Sequence, residues 1–137
     1  GINIIKNILD FSWIKDIIEK ENVLILIEGV LMYLEKEQVM SIFEAIGLNF
    51  SNSYIAFDTI PVSYTNMDKH KSIDIQRSPF KWGNDSLSEI EEWNYGFKGM
   101  KKYEYLSDMP LTVPFVSKSA LDETKGNVVR VNVMQIN

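Results

Sequence analysis

Two carboxylates stand where an α/β protein does its chemistry. Glu28 follows the branched apolar run VLILI (residues 23–27) directly, and Asp58 lies near the end of YIAFDTI (residues 54–60). In an open α/β sheet, ligands bind outside the carboxyl ends of the parallel strands. A carboxylate there can bind an ammonium group or a ribose hydroxyl, or act as a general base. Both residues have a plainer alternative, which is to accept hydrogen bonds from backbone amides of the turns that follow. For Asp58 the plainer role is the better default; for Glu28 the two stand level. Aromatic residues form a second group. Phe80, Trp82, Trp93, Tyr95 and Phe97 cluster around PFKWG (residues 79–83) and the segment after it. They could line an apolar substrate pocket, although core packing accounts for most such residues. Lys81 beside Trp82 could face an anionic or aromatic ligand, and solvent exposure is its ordinary state.

Other chemistries fall away. The only histidine is His70, in a charged stretch, and there is no cysteine. That rules out an ordinary zinc site, disulfides and thiol nucleophiles; no metal ligands are assigned. No serine sits in a nucleophile-elbow pattern. No phosphate-binding loop or dinucleotide fingerprint is present. GFKG (residues 96–99) has too few glycines for such a role and reads as a turn. The net charge of −5 disfavours nucleic acid and anionic membrane surfaces. The longest apolar run is too short to span a bilayer. No signal peptide is visible, and the lack of cysteine fits a cytoplasmic protein.

The elements that position these residues follow from pattern. The 137 residues, 45% hydrophobic and 24% charged, suit one domain, residues 1–137, with one modest core. Ile4, Ile5, Ile8 and Leu9 recur at helical spacing, and Asp10 or Ser12 can cap a further turn carrying Trp13, Ile14, Ile17 and Ile18. VLILI reads as an interior strand buried on both faces. Val39, Ile42, Phe43 and Ile46 then mark a helix that Gly47 would stop. YIAFDTI is the second strand, so strand, helix and strand form a parallel βαβ unit. A short helix over residues 66–76 is possible. Ser86 or Ser88 caps a helix running toward residue 97, with Gly96 and Gly99 at its exit. KKYEYLS, with Tyr103 and Tyr105 alternating, and VVRVNVMQI, with Val129, Val131 and Val133 on one face, read as a terminal antiparallel pair at the sheet edge. Residues 110–121 read as a connection.

IEGVLMYLEKEQV (residues 27–39) resembles the signature of the leucine carboxyl methyltransferase family, most closely its bacterial, polyketide-type O-methyltransferase branch. DFSWI (residues 10–14), YIAFD (residues 54–58) and PFKWG followed by EIEEW resemble three further family segments, in the family's order. The resemblance covers roughly residues 8 to 106. It implies a class I, Rossmann-like S-adenosylmethionine methyltransferase sheet, of which this sequence supplies two parallel strands and the terminal antiparallel pair. It implies S-adenosylmethionine as cofactor, with Glu28 and Tyr33 beside it; the candidate substrate pocket, from position and residue type, is Asp58, Phe80, Lys81 and Trp82. No catalytic base is assigned.

Two departures qualify the match. Where the family has Phe-Arg-Trp-Gly, this sequence has Lys81, which keeps the charge and loses the planar two-pronged fork that suits a carboxylate. The family's glycine-rich loop after its first strand, and the acidic residue after its second, have no counterpart here. The expectation is therefore the C-terminal half of an O-methyltransferase acting on a small molecule or a carboxylate, with weak cofactor binding on its own. The alternative is a non-catalytic binding or assembly module built on the same fold. Either way the VLILI strand would have an open edge, covered by the N-terminal helix, by a missing N-terminal half or by another copy in a homo-oligomer.

Overall fold

A computed structural model describes residues 6–69, 80–104 and 129–137. The strands are β1 (Leu24–Ile27), β2 (Ser53–Thr59), β3 (Phe97–Glu104) and β4 (Arg130–Ile136), and the α-helices are α1 (Lys36–Asn49) and α2 (Leu87–Glu92). Short 3-10 helices cover Phe11–Asp16, Leu31–Tyr33 and Val62–Lys69. The four strands make one mixed sheet in the order β1-β2-β4-β3. β1 and β2 are parallel; β4 runs antiparallel to both β2 and β3. The parallel βαβ unit and the terminal antiparallel pair are thus as the sequence pattern implies.

The core forms where α1 lies on one face of this sheet. Val39, Ile42, Phe43 and Ile46 of α1 are fully buried, and their i, i+3, i+4, i+7 spacing is what places them on one stripe. They meet Ile55 and Phe57 of β2 and Met134 and Ile136 of β4. Phe43 is central, with edge-on contacts to Phe57 (5.2 Å), Trp93 (5.7 Å) and Phe97 (4.9 Å). At the start of α1, the Glu35 N–H donates to Gln38 Oε1 at 2.9 Å, which satisfies a backbone donor that the helix itself cannot.

Several expectations are corrected. VLILI is not an interior strand: β1 pairs only with β2 among the described residues, and Leu24 and Leu26 are 61% and 70% exposed. A continuous apolar run carries no information about which side its partners are on. Gly47 does not stop α1, which continues to Asn49. A Cβ there would lie 2.1 Å from the Tyr95 carbonyl oxygen, so the glycine permits close approach of helix and turn. Phe97 to Gly99 are not a turn but the start of β3, and Gly99 is inside that strand; the exit turn spans residues 93–96, with Asn94 at φ +64° and Gly96 at φ +94°. On β4, Asn132, Met134 and Ile136 form the buried face, and Val131 and Val133 the half-buried one.

The N-terminal turn is the 3-10 helix Phe11–Asp16, capped by Asp10, whose carboxylate accepts from the Ser12 N–H at 3.1 Å. That bonding with Ser12 holds the Asp10 carboxyl below the usual aspartate range. Ile8 and Leu9 lie in the turn before it. Residues 66–69 lie in a 3-10 rather than an α-helix, and α2, capped by Ser86, ends at Glu92. Ile4, Ile5, His70 to Gln76, Pro79, Tyr105 and the connection over residues 110–121 lie outside the described residues. Among the described residues no helix is long and apolar enough to cross a membrane.

Candidate functional site

Three connections converge at the carboxyl ends of β1 and β2. The first runs from Glu28 to Glu35. It begins with Gly29 at φ +68°, a left-handed conformation open to glycine at little cost. The second begins at Ile60 and Pro61. The third is the segment from Phe80 to Ser86.

Asp58 locks the first connection to the second strand. Its two carboxylate oxygens accept from the Gly29 N–H at 2.9 and 3.1 Å. The plainer role foreseen for Asp58 is therefore the one its contacts show. Glu28, one residue before that donor, is exposed and forms no hydrogen bond or ion pair among the described residues. The turn thus fixes the backbone on either side of Glu28 and leaves its carboxylate open.

The Met32 carbonyl ties the third connection to the first. It accepts from the Lys81 N–H at 2.8 Å and the Trp82 N–H at 3.3 Å. The pairing brings the rings of Tyr33 and Phe80 to 5.4 Å, tilted by 44°. Lys81 Nζ lies 3.8 Å from Glu35 Oε1, with both side chains about half exposed. An exposed pair at that distance contributes about 0–1 kcal/mol, so it does not immobilise the lysine. Trp82 points the other way. It is 4% exposed and stands 6.3 Å from Trp93, within the core. Its indole N–H has no hydrogen-bond partner among the described residues.

Behind this rim the scaffold is tight. A Cβ on Gly83 would lie 2.7 Å from the Pro61 carbonyl oxygen. The Asn84 N–H donates to the Ile60 carbonyl at 2.9 Å, and Asn84 Nδ2 reaches the Ser86 carbonyl and Glu89 Oε2. Under β2, buried Asn132 donates to Thr59 Oγ1 (2.9 Å) and the Phe57 carbonyl (3.2 Å).

The six residues singled out in the sequence therefore fall at one end of the sheet. Tyr33, Phe80 and Lys81 share one rim, Asp58 braces the Glu28 turn, and Trp82 anchors the rim from inside. Three contributors escaped the sequence reading. Gly29 follows a strand, Glu35 precedes α1 and Asn84 follows a glycine, and none of these places marks a site by itself.

No protein-family model matches the chain, and no curated protein resembles it in sequence. Solved structures do resemble it in fold. A DUF574 family protein from Streptomyces avermitilis aligns over 96% of this chain and 53% of its own, with 12% identity and a TM-score of 0.61. A SAM-dependent methyltransferase from Anabaena variabilis aligns over 96% and 57%, with 12% identity and a TM-score of 0.56. The magnesium protoporphyrin IX methyltransferase of Synechocystis, solved with bound SAH, aligns over 96% and 49%, with 7% identity and a TM-score of 0.54. At such identities the likeness is one of fold: a partial Rossmann-like sheet of the kind found in S-adenosylmethionine-dependent methyltransferases. The chain spans about half the length of these structures.

Proposed function

We propose that residues 1–137 are one domain, the C-terminal half of a cytoplasmic S-adenosylmethionine-dependent O-methyltransferase of the leucine carboxyl methyltransferase type, polyketide branch. The observation that carries this reading is the open Glu28 carboxylate, held at the carboxyl end of β1 by the Asp58–Gly29 clamp. An unpaired carboxylate on a fixed turn suits the ammonium of the cofactor's amino-acid end. When bound, S-adenosylmethionine supplies a methyl group from its sulfonium to an oxygen in line with it.

The chain's own residues position rather than react, and positioning accounts for much of the barrier lowering in such a displacement. Glu28 binds the charged end of the cofactor. Tyr33 and Phe80 form an aromatic wall beside it. Asp58 keeps the Glu28 turn in place. Lys81 offers a mobile positive charge to a small-molecule or carboxylate acceptor, and Trp82 holds Phe80 and Lys81 at the rim. No residue here is assigned as a base, and a carboxylate acceptor needs none. The remaining cofactor contacts, from a glycine-rich strand-loop and an acidic residue, come from a segment that these 137 residues do not include.

Calorimetric titration of S-adenosylmethionine into the chain tests this. The expected affinity is no tighter than about 1 mM, near −4 kcal/mol. Micromolar affinity would show that the site is complete without a second segment. A non-catalytic assembly module is the second reading; among the described residues β1 pairs only with β2.

A further inference from the structure

Two rungs join the first and third connections. The Met32 carbonyl accepts from the Lys81 and Trp82 N–H groups and sets the two segments side by side. Tyr33 then meets Phe80, ring to ring at 5.4 Å. On the neighbouring rung Glu35 Oε1 faces Lys81 Nζ at 3.8 Å. A flat apolar surface and a cation thus stand next to each other on the rim.

Both are available to a ligand. At 3.8 Å the Glu35 carboxylate is outside hydrogen-bond range. The Lys81 ammonium makes no hydrogen bond among the described residues, and its side chain is 47% exposed. Tyr33 is 45% exposed. The backbone of Lys81 is pinned to Met32 while its charged end is free to move.

We propose that this rim binds a phenol as its phenolate, with the ring on the Tyr33–Phe80 wall and the oxygen on Lys81 Nζ. The phenol's part in methyl transfer rests on the methyltransferase reading; its binding does not. An ammonium is a compact point charge and suits one charged oxygen. A carboxylate spreads its charge over two oxygens and is matched better by a planar fork. In a phenolate the charged oxygen is joined directly to the ring, so one small group engages wall and cation together. A neighbouring cation favours the ionised form. No base is therefore needed, and the phenol's proton passes to water. The phenolate oxygen then bonds to the methyl carbon of bound S-adenosylmethionine. The carbon–sulfur bond breaks, and its electron pair stays on sulfur. The products are an aryl methyl ether and S-adenosylhomocysteine.

The test uses 4-nitrophenol, which titrates near neutral pH and whose phenolate absorbs visible light. It is titrated into the 137-residue chain without cofactor. Binding near about 1 mM is expected for so small a ligand. Below the free phenol's midpoint, the bound ligand should be about tenfold richer in phenolate than the free. Lys81→Gln keeps the backbone bond to Met32 and should remove that enrichment. 4-Nitrobenzoate, the same ring with a carboxylate, should bind about fivefold more weakly. Absence of binding, or a bound phenol no more ionised than the free one, would overturn the proposal. So would an enrichment indifferent to Lys81→Gln, or nitrobenzoate binding as tightly as nitrophenol. Nitrophenol held as phenolate at Lys81, with Glu28 undisturbed by S-adenosylhomocysteine, would uphold this site and overturn the cofactor reading instead.

Discussion

At the scale of single residues, the account turns on the step from Glu28 to Gly29. Asp58 was readable as a carboxylate at a strand end, and its hydrogen-bonding role was foreseeable because a turn had to follow VLILI. Its donor was not, since Gly29 is 29 positions away in sequence. Replacing Asp58 by alanine removes a charged acceptor from a part-exposed site and should cost about 1 kcal/mol in urea unfolding. Exchange of the Gly29 amide should quicken at the same time. Gly29→Ala tests backbone strain separately. Nothing lies within 4 Å of the added Cβ, so the cost should be the left-handed penalty alone, about 1–2 kcal/mol. Gly29→Asn should recover part of it, because asparagine tolerates that conformation better. Equal losses for alanine and asparagine would place the cost elsewhere.

At the scale of elements, periodicity served well where one face is buried and poorly where it says nothing of neighbours. The stripe of α1 identified four core residues because a helix on a sheet has one dry side. VLILI misled because the same five apolar letters suit an interior strand and one paired on a single side. In β4 the valines drew attention by their β-branching, yet Asn132, Met134 and Ile136 take the buried face. Nothing in the alternation says that the side-chain amide of an asparagine there donates to Thr59. Phe43→Ala removes the ring that joins α1 to Phe57, Trp93 and Phe97 and should cost about 3–5 kcal/mol, measured by chemical denaturation. The N-terminal turn gives a pH prediction. Asp10 has its carboxyl lowered by Ser12 in the folded state. Its contribution is therefore present above the ordinary aspartate range and fades as pH falls through the lower folded value. The Ser12 amide resonance should follow that transition in acid, and Asp10→Asn should abolish it.

At the scale of the whole molecule, the fold class was legible. Parallel β1 and β2 with an antiparallel pair beside them match solved methyltransferase folds over about half their length. The carboxyl ends of the parallel strands were the predicted site, and Glu28, Tyr33, Asp58, Phe80 and Lys81 do gather there. The link between PFKWG and EGVLMYL could not be read, because backbone hydrogen bonds to Met32 leave no trace in side-chain identity. The most direct measurement is a titration of S-adenosylhomocysteine into the ¹⁵N-labelled chain, followed amide by amide. The account predicts shift changes at Glu28, Gly29 and Tyr33 and around Phe80 to Trp82, lost in Glu28→Ala while the rest of the spectrum is kept. Changes elsewhere on the sheet, or undiminished changes in Glu28→Ala, would contradict it.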